Sequence, residues 1–266
     1  MLQLFRIEWM KIKNYRTFWI LFGGFVLLFP ITVLFAADRV NAQPENQQQE
    51  MIRNLMGNPF AFPKIWHTSA WFAGLYFIMI GMLFILLITN EVQYRTHRQN
   101  IIDGWSRMDF LKAKFSMLIF FVISATVLVI LTALLTGSIY TPGGVGDITA
   151  GLKYVLYFVL MATMYLLAGY VIAILIKRTG LAIVIYFAVV CIVDNILWLI
   201  MTMRKSQAGY LLPLESTDSL VPNPFKPGML ENRTLTDQTL IIVAAAYLVL
   251  FAYLIQQHFR RIDLRN

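Results

Sequence analysis

Six apolar runs, Thr17–Ala36, Ala70–Thr89, Phe115–Ile139, Tyr154–Ile176, Leu181–Met201 and Leu240–Ile255, constrain this chain more than any other feature. A helix needs about 20 apolar residues to cross roughly 30 Å of hydrocarbon. The first five runs reach that length unaided, and the last becomes a span of about 239–256 by taking in Thr239 and Gln256. A soluble domain of 266 residues cannot hide so much apolar surface: 59% of the residues are hydrophobic and 14% charged, against about 25% charged in ordinary soluble domains. This excludes a soluble enzyme, a DNA-binding domain and a disordered tail. No uncharged alternation recurs every 10 or so residues, as a membrane barrel would require. In lipid the remaining spanning solution is the helix, which satisfies every backbone N–H and C=O internally.

Charge placement orients the spans, because cytoplasmic loops carry the excess of Lys and Arg. With a cytoplasmic N-terminus, fourteen of the 22 basic residues fall inside and eight outside. Five acidic residues fall inside and eight outside, and Asp194 lies within a span. The net charge of +8 is therefore an orientation signal, and nucleic acid is not needed to explain it. Arg204 and Lys205, just after the fifth run, go against the trend. The first apolar run is too long for a cleaved signal peptide and lacks a small-residue cleavage site. Residues 1–16 read as an interfacial helix, with Leu2, Phe5, Trp9 and Ile12 on one face and Arg6, Lys11 and Lys13 available to anionic headgroups.

The expected fold class is thus an all-α polytopic membrane protein. It has six transmembrane helices, an N-terminal amphipathic interfacial helix and cytoplasmic N- and C-termini, in one transmembrane domain over 1–266. The spans are about 17–36, 70–89, 115–139, 154–176, 181–201 and 239–256. Small residues, Ser124, Ala125, Thr132 and Ala133 in span three and Ala162, Thr163, Ala168 and Gly169 in span four, invite close helix contact. The outer loop 202–238 holds Pro213, Pro222, Pro224 and Pro227 among Leu211, Leu212, Leu214 and Phe225. It reads as an ordered loop that can dip into the outer leaflet or cap a cavity.

Enzyme motifs are missing. The sequence has no G-x-x-x-x-G-K-[ST], no H-E-x-x-H and no G-x-S-x-G, so no catalytic residue is assigned. Its three histidines, His67, His97 and His258, lack metal-ligand spacing, and one cysteine, Cys191, builds neither a disulfide framework nor a thiolate zinc site. No metal site is expected. Two stretches carry functional candidates. Between spans two and three, residues 91–107 form a long charged segment that reads as helical up to Gly104, a helix stop. Ile101, Ile102 and Trp105 make an apolar knob there, and two readings stand equally open: insertion into the groove of a soluble partner, and a solvated loop whose charges only orient the spans. In span five, Asp194 and Asn195 are polar groups inside the hydrocarbon. Such groups face protein or water and are functional hypotheses by default. Contact with a substrate, pairing with Arg204 or Lys205, and capping of an irregular helix end are all open to Asp194.

Glu91, Thr96, Ser106-Arg107, and Lys112 and Lys114 leading into span three resemble the signature of ABC-2 type permeases at matching spacing. Arg95 stands where that family commonly has glycine, and Gly104 falls in its proline region. The resemblance extends over the plan of the chain: amphipathic N-terminal helix, six spans, and a large outer segment between spans five and six. It implies two paired permease chains, identical or different, and separate ABC ATPase subunits that bind ATP and Mg, with no cofactor in this chain. It implies a coupling helix over about 91–107, with Glu91, Arg95, Thr96, Arg98, Ile101, Ile102, Trp105, Ser106 and Arg107 as coupling residues, the three apolar ones contacting the ATPase. Asp194 and Asn195 are the substrate-path candidates. The expected function is export of an amphipathic compound driven by ATP on the partner, in a bacterial inner membrane with membrane lipid as the other partner. The alternatives are a non-transporting scaffold or sensor subunit, and an intramembrane enzyme using Asp194.

Overall fold

The computed structural model describes residues 2–42, 57–93, 107–141, 148–225 and 233–261. Among these residues there is no strand. Helix α1 (Leu2–Ile12) ends in a short turn before α2 (Arg16–Asn41), the first span. Spans two, three and four are α3 (Ile65–Gln93), α4 (Arg107–Tyr140) and α5 (Lys153–Ile176). Span five has two α-helical parts, α6 (Thr179–Ala188) and α7 (Asp194–Met203), joined by a π-helical turn at Val189–Val193. After it come a 3₁₀ turn (Gln207–Leu211), the short α8 (Glu215–Asp218) and the sixth span, α9 (Asp237–Arg261). All six candidate spans are therefore present as helices long and apolar enough to cross a membrane.

Helix α3 is the hub, packing against α2, α4, α5 and α6. The apolar windows of α3 and α5 are 56% and 61% buried, against 17–22% for spans one, five and six, so two helices form the middle and the others surround them. Small residues decide how closely the middle helices approach. Ala70, Ala73, Ala162, Ala173 and Ala182 are completely buried, and a Cβ at Gly169 on α5 would stand 3.3 Å from Ile85 on α3. Ala125, Thr132 and Ala133 on α4 are buried too. Ser124 and Thr163 are only half-buried, and each returns its hydroxyl to its own helix, at the Phe121 and Val159 carbonyls. Helix α4 begins at Arg107, ahead of the apolar run that starts at Phe115, and Lys114 in these added turns has partners described below.

Gly81 is the tightest of these approaches. The Tyr186 ring of α6 lies against the α3 backbone there, and a methyl group at Gly81 would overlap the Tyr186 hydroxyl. That hydroxyl is buried and makes no hydrogen bond among the described residues. Gly81→Ala should cost about 1–3 kcal/mol, the usual range for overpacking. Tyr186→Phe, which removes only an unpaired buried polar atom, should be neutral or stabilising and should partly rescue Gly81→Ala. Thermal unfolding of the four proteins in one detergent checks this; an unchanged melt for Gly81→Ala would contradict the close approach.

Candidate functional site

At the α1 end of the bundle, four charged side chains close a ring. Lys114 Nζ lies 2.5 Å from Glu8 Oε2 and 2.7 Å from Glu91 Oε2. Lys11 Nζ lies 2.9 Å from Glu8 Oε1 and 3.1 Å from Glu91 Oε1. The charges alternate and sum to zero. Lys114, Glu8 and Glu91 are 1%, 2% and 8% exposed, while Lys11 reaches toward solvent. Burial would push the Glu8 carboxyl up, but Lys114 and Lys11 beside it hold it below the usual carboxylate range.

The four members come from three helices, each placed for a local reason. Glu8 and Lys11 share a face of α1, one turn apart. The same helix packs Phe5 and Trp9 on Phe120 of α4, with ring centroids 5.5 Å apart in both cases, and this contact brings Glu8 down onto Lys114. Glu91 lies in the last turn of α3 and Lys114 in the second turn of α4, so the ring ties together the two helices that flank residues 94–106. The neighbouring polar groups tie the same turn of α3 further. Asn90 Nδ2 donates to the Tyr15 hydroxyl at 3.2 Å, and the Thr179 hydroxyl at the start of α6 donates to Asn90 Oδ1 and Gln93 Oε1. The end of α3 thus holds α1, the α1–α2 turn, α4 and α6 at once.

Among the expected coupling residues, Glu91 is in this ring. Arg107 opens α4. Arg95, Thr96, Arg98, Ile101, Ile102, Trp105 and Ser106 lie outside the described residues. Sequence reasoning did not single out Glu8, and it read Lys11 as a headgroup contact. A signal was present: Glu8 falls one turn from Phe5 and Ile12, on the apolar face of its helix, where an acid needs a buried cation.

The second candidate, Asp194, is the first residue of α7 and is 7% exposed. Its carboxylate accepts hydrogen bonds from the backbone N–H groups of Leu214 and Glu215, at the start of α8. It therefore joins span five to the segment that follows it. Asn195 is exposed, and its side-chain amide donates to the Val190 carbonyl at 3.1 Å, a group inside the π turn. The π turn inserts extra backbone directly before Asp194; such turns are rare and recur at functional positions.

The family model described as ABC-2 family transporter protein matches residues 4–207. That stretch contains α1 from residue 4 onward, the ring, the segment between α3 and α4, and span five with Asp194 and Asn195. No curated protein matches the chain. With a match over more than half its length, six spanning helices and no catalytic role attached to the family, the chain belongs to the ABC-2 family of transporter proteins, as an integral membrane permease subunit of an ABC transporter.

Proposed function

We propose that this chain is the membrane half of an ATP-driven exporter in a bacterial inner membrane. Its ATPase is a separate subunit that carries ATP and Mg, and the permease works as a pair of chains. The single observation behind this reading is that the ion ring clamps both helices flanking residues 94–106, in a chain of the ABC-2 family. A force applied to that segment by a soluble partner reaches α3 and α4 at their ends. Because the ring also holds α1, and its neighbours hold the α1–α2 turn and α6, the displacement is delivered to several helices as one body. Packed elements of this kind move between discrete arrangements, and a ligand shifts the population between them; here the ligand is ATP on the partner.

In this reading Ile101, Ile102 and Trp105 enter a groove of the ATPase, with Arg95, Thr96, Arg98, Ser106 and Arg107 around them. Glu91 passes the motion into the ring. Asp194 and Asn195 belong to the substrate path by controlling how the segment after span five sits on the bundle. The aromatic and Met-rich spans favour an amphipathic cargo. A C-terminally tagged chain, solubilised gently, should co-purify with a stoichiometric P-loop ATPase, identified by mass spectrometry. The complex should hydrolyse ATP in a vanadate-sensitive way. Recovery of the bare chain from several mild detergents, with no hydrolysis, would overturn the exporter reading in favour of a scaffold.

A further inference from the structure

The segment after span five, residues 207–225, folds back onto the helices. Ser216 and Thr217 are completely buried, and Leu214, Leu220 and Val221 nearly so. Its ties reach four spans. Asp194 of α7 accepts from the backbone of Leu214 and Glu215. The Tyr165 hydroxyl of α5 donates to Asp218 Oδ2 at 2.8 Å. His67 Nε2 of α3 donates to the Pro222 carbonyl at 2.6 Å. Arg233, just before α9, donates to the Ser219 carbonyl at 2.7 Å. Phe225 fits among Phe60, Trp71 and Phe72, with centroid distances of 5.9–6.0 Å.

One of these ties is chemically unlike the rest. Asp218 Oδ1 is buried and has no hydrogen-bond partner among the described residues. The groups around it are acids and phenols: Glu215 on its own helix, Asp194 on α7, Tyr165 on α5 and, farther off, Tyr186 on α6. Two cations that flank spans four and six are committed to another acid. Arg233 Nη2 lies 2.7 Å from Asp237 Oδ1, and Lys153 Nζ lies 3.6 Å from Asp237 Oδ2, which also accepts from Tyr157. Among the described residues no three acidic, histidine or cysteine side chains converge as a metal site. An ionised Asp218 would have one donor, two neighbouring carboxylates and a buried bare oxygen, whereas a neutral carboxyl keeps the Tyr165 bond without the repulsion.

We propose that residues 207–225 form a proton-held cap: a neutral Asp218 keeps the segment seated on spans two, four, five and six, and loss of that proton to solvent releases it. Burial, then the Glu215 carboxylate, hold the Asp218 carboxyl well above the usual carboxylate range; Asp194 adds to this and the Tyr165 hydrogen bond opposes it. The sign follows from linkage. The seated cap binds the proton more tightly than the released one. Seating is therefore strongest at acid pH and weakens as pH rises from the ordinary Asp range to the raised value in the seated state. Beyond that it stays weak.

The test is the distance between spin labels on Ala208 in the segment and Leu152 beside α5, in a Cys191→Ser background, measured in lipid nanodiscs from pH 5 to pH 10. The distance should be short and narrow at acid pH and lengthen and broaden as pH rises. Asp218→Asn, which mimics the neutral acid, should keep it short throughout. Glu215→Gln, which removes a repelling carboxylate, should shrink the change. A distance that ignores pH in the wild type overturns the proposal. So does an Asp218→Asn protein that still opens with pH, which would assign the response to another group such as His67. The measurement needs no ATPase, so its outcome is separate from that of the exporter reading.

Discussion

Lys114→Met should destabilise the protein by about 3–5 kcal/mol, the cost of removing one partner from a buried ion pair. The substitution leaves the Glu8 and Glu91 carboxylates facing each other with Lys11 as their remaining shared cation. Methionine fills the space of the lysine stem, so most of the loss is electrostatic. Adding Glu8→Gln restores neutrality, with Lys11 still paired to Glu91, and should recover much of the stability. Because lysines hold the Glu8 carboxyl below its ordinary range, the wild-type ring contributes its full stability above that range and loses it as pH falls through the lowered value. Denaturation in one detergent, at neutral and acid pH, checks all three statements. A wild-type melt for Lys114→Met would mean that the ring does not close in the folded protein. A double variant that is stable, but whose ATPase partner hydrolyses ATP without moving substrate, would separate the ring's role in coupling from its role in folding.

Replacing Ile101, Ile102 and Trp105 together by Asp should release the ATPase while leaving the permease folded. Aromatic and aliphatic anchors seated in a partner's groove each cost about 2 kcal/mol or more when lost, and each 1.4 kcal/mol is tenfold in affinity. The three together should weaken binding by at least about a hundredfold. Co-purification from detergent reads the result directly, and a normal melting profile of the variant shows that folding is intact. An unchanged complex would remove residues 91–107 from the contact.

Long apolar runs made the spans legible, because the bilayer demands about 20 residues of one character and the sequence supplies them six times. The ring was not legible in the same way. Glu8, Lys11, Glu91 and Lys114 lie in three helices, and the rule that orients spans counts positive charges without asking what they pair with. Lys114 therefore stands in the sequence as an inside charge and a member of the family signature, with nothing to show its partners, although it is one of the most buried side chains in the protein. The π turn had no signature at all, since Val189–Val193 is as apolar as the helices on either side of it. The segment after span five lay between these extremes. Its prolines and leucines indicate an ordered loop, with dipping into the outer leaflet or capping a cavity both open. The partners that hold it, Tyr165, His67 and Asp194, are distant in sequence and became visible only when the helices were assembled.

The π turn divides span five between two neighbours. Helix α6 packs against α3 and α5, whereas α7 packs against the 3₁₀ turn and α8. The part that travels with residues 207–225 therefore extends down to Asp194, about 15 Å of helix at 1.5 Å per residue. Ile196, Leu197, Leu199, Ile200 and Met203 on that helix are all exposed, and wherever the second chain does not cover them they meet acyl chains in a bilayer. Any displacement of the segment then changes how much hydrocarbon surface the protein presents, and mismatch with bilayer thickness carries its own cost. The membrane thereby becomes a reactant in the conformational equilibrium, and the acyl-chain length of the surrounding lipid sets part of its constant.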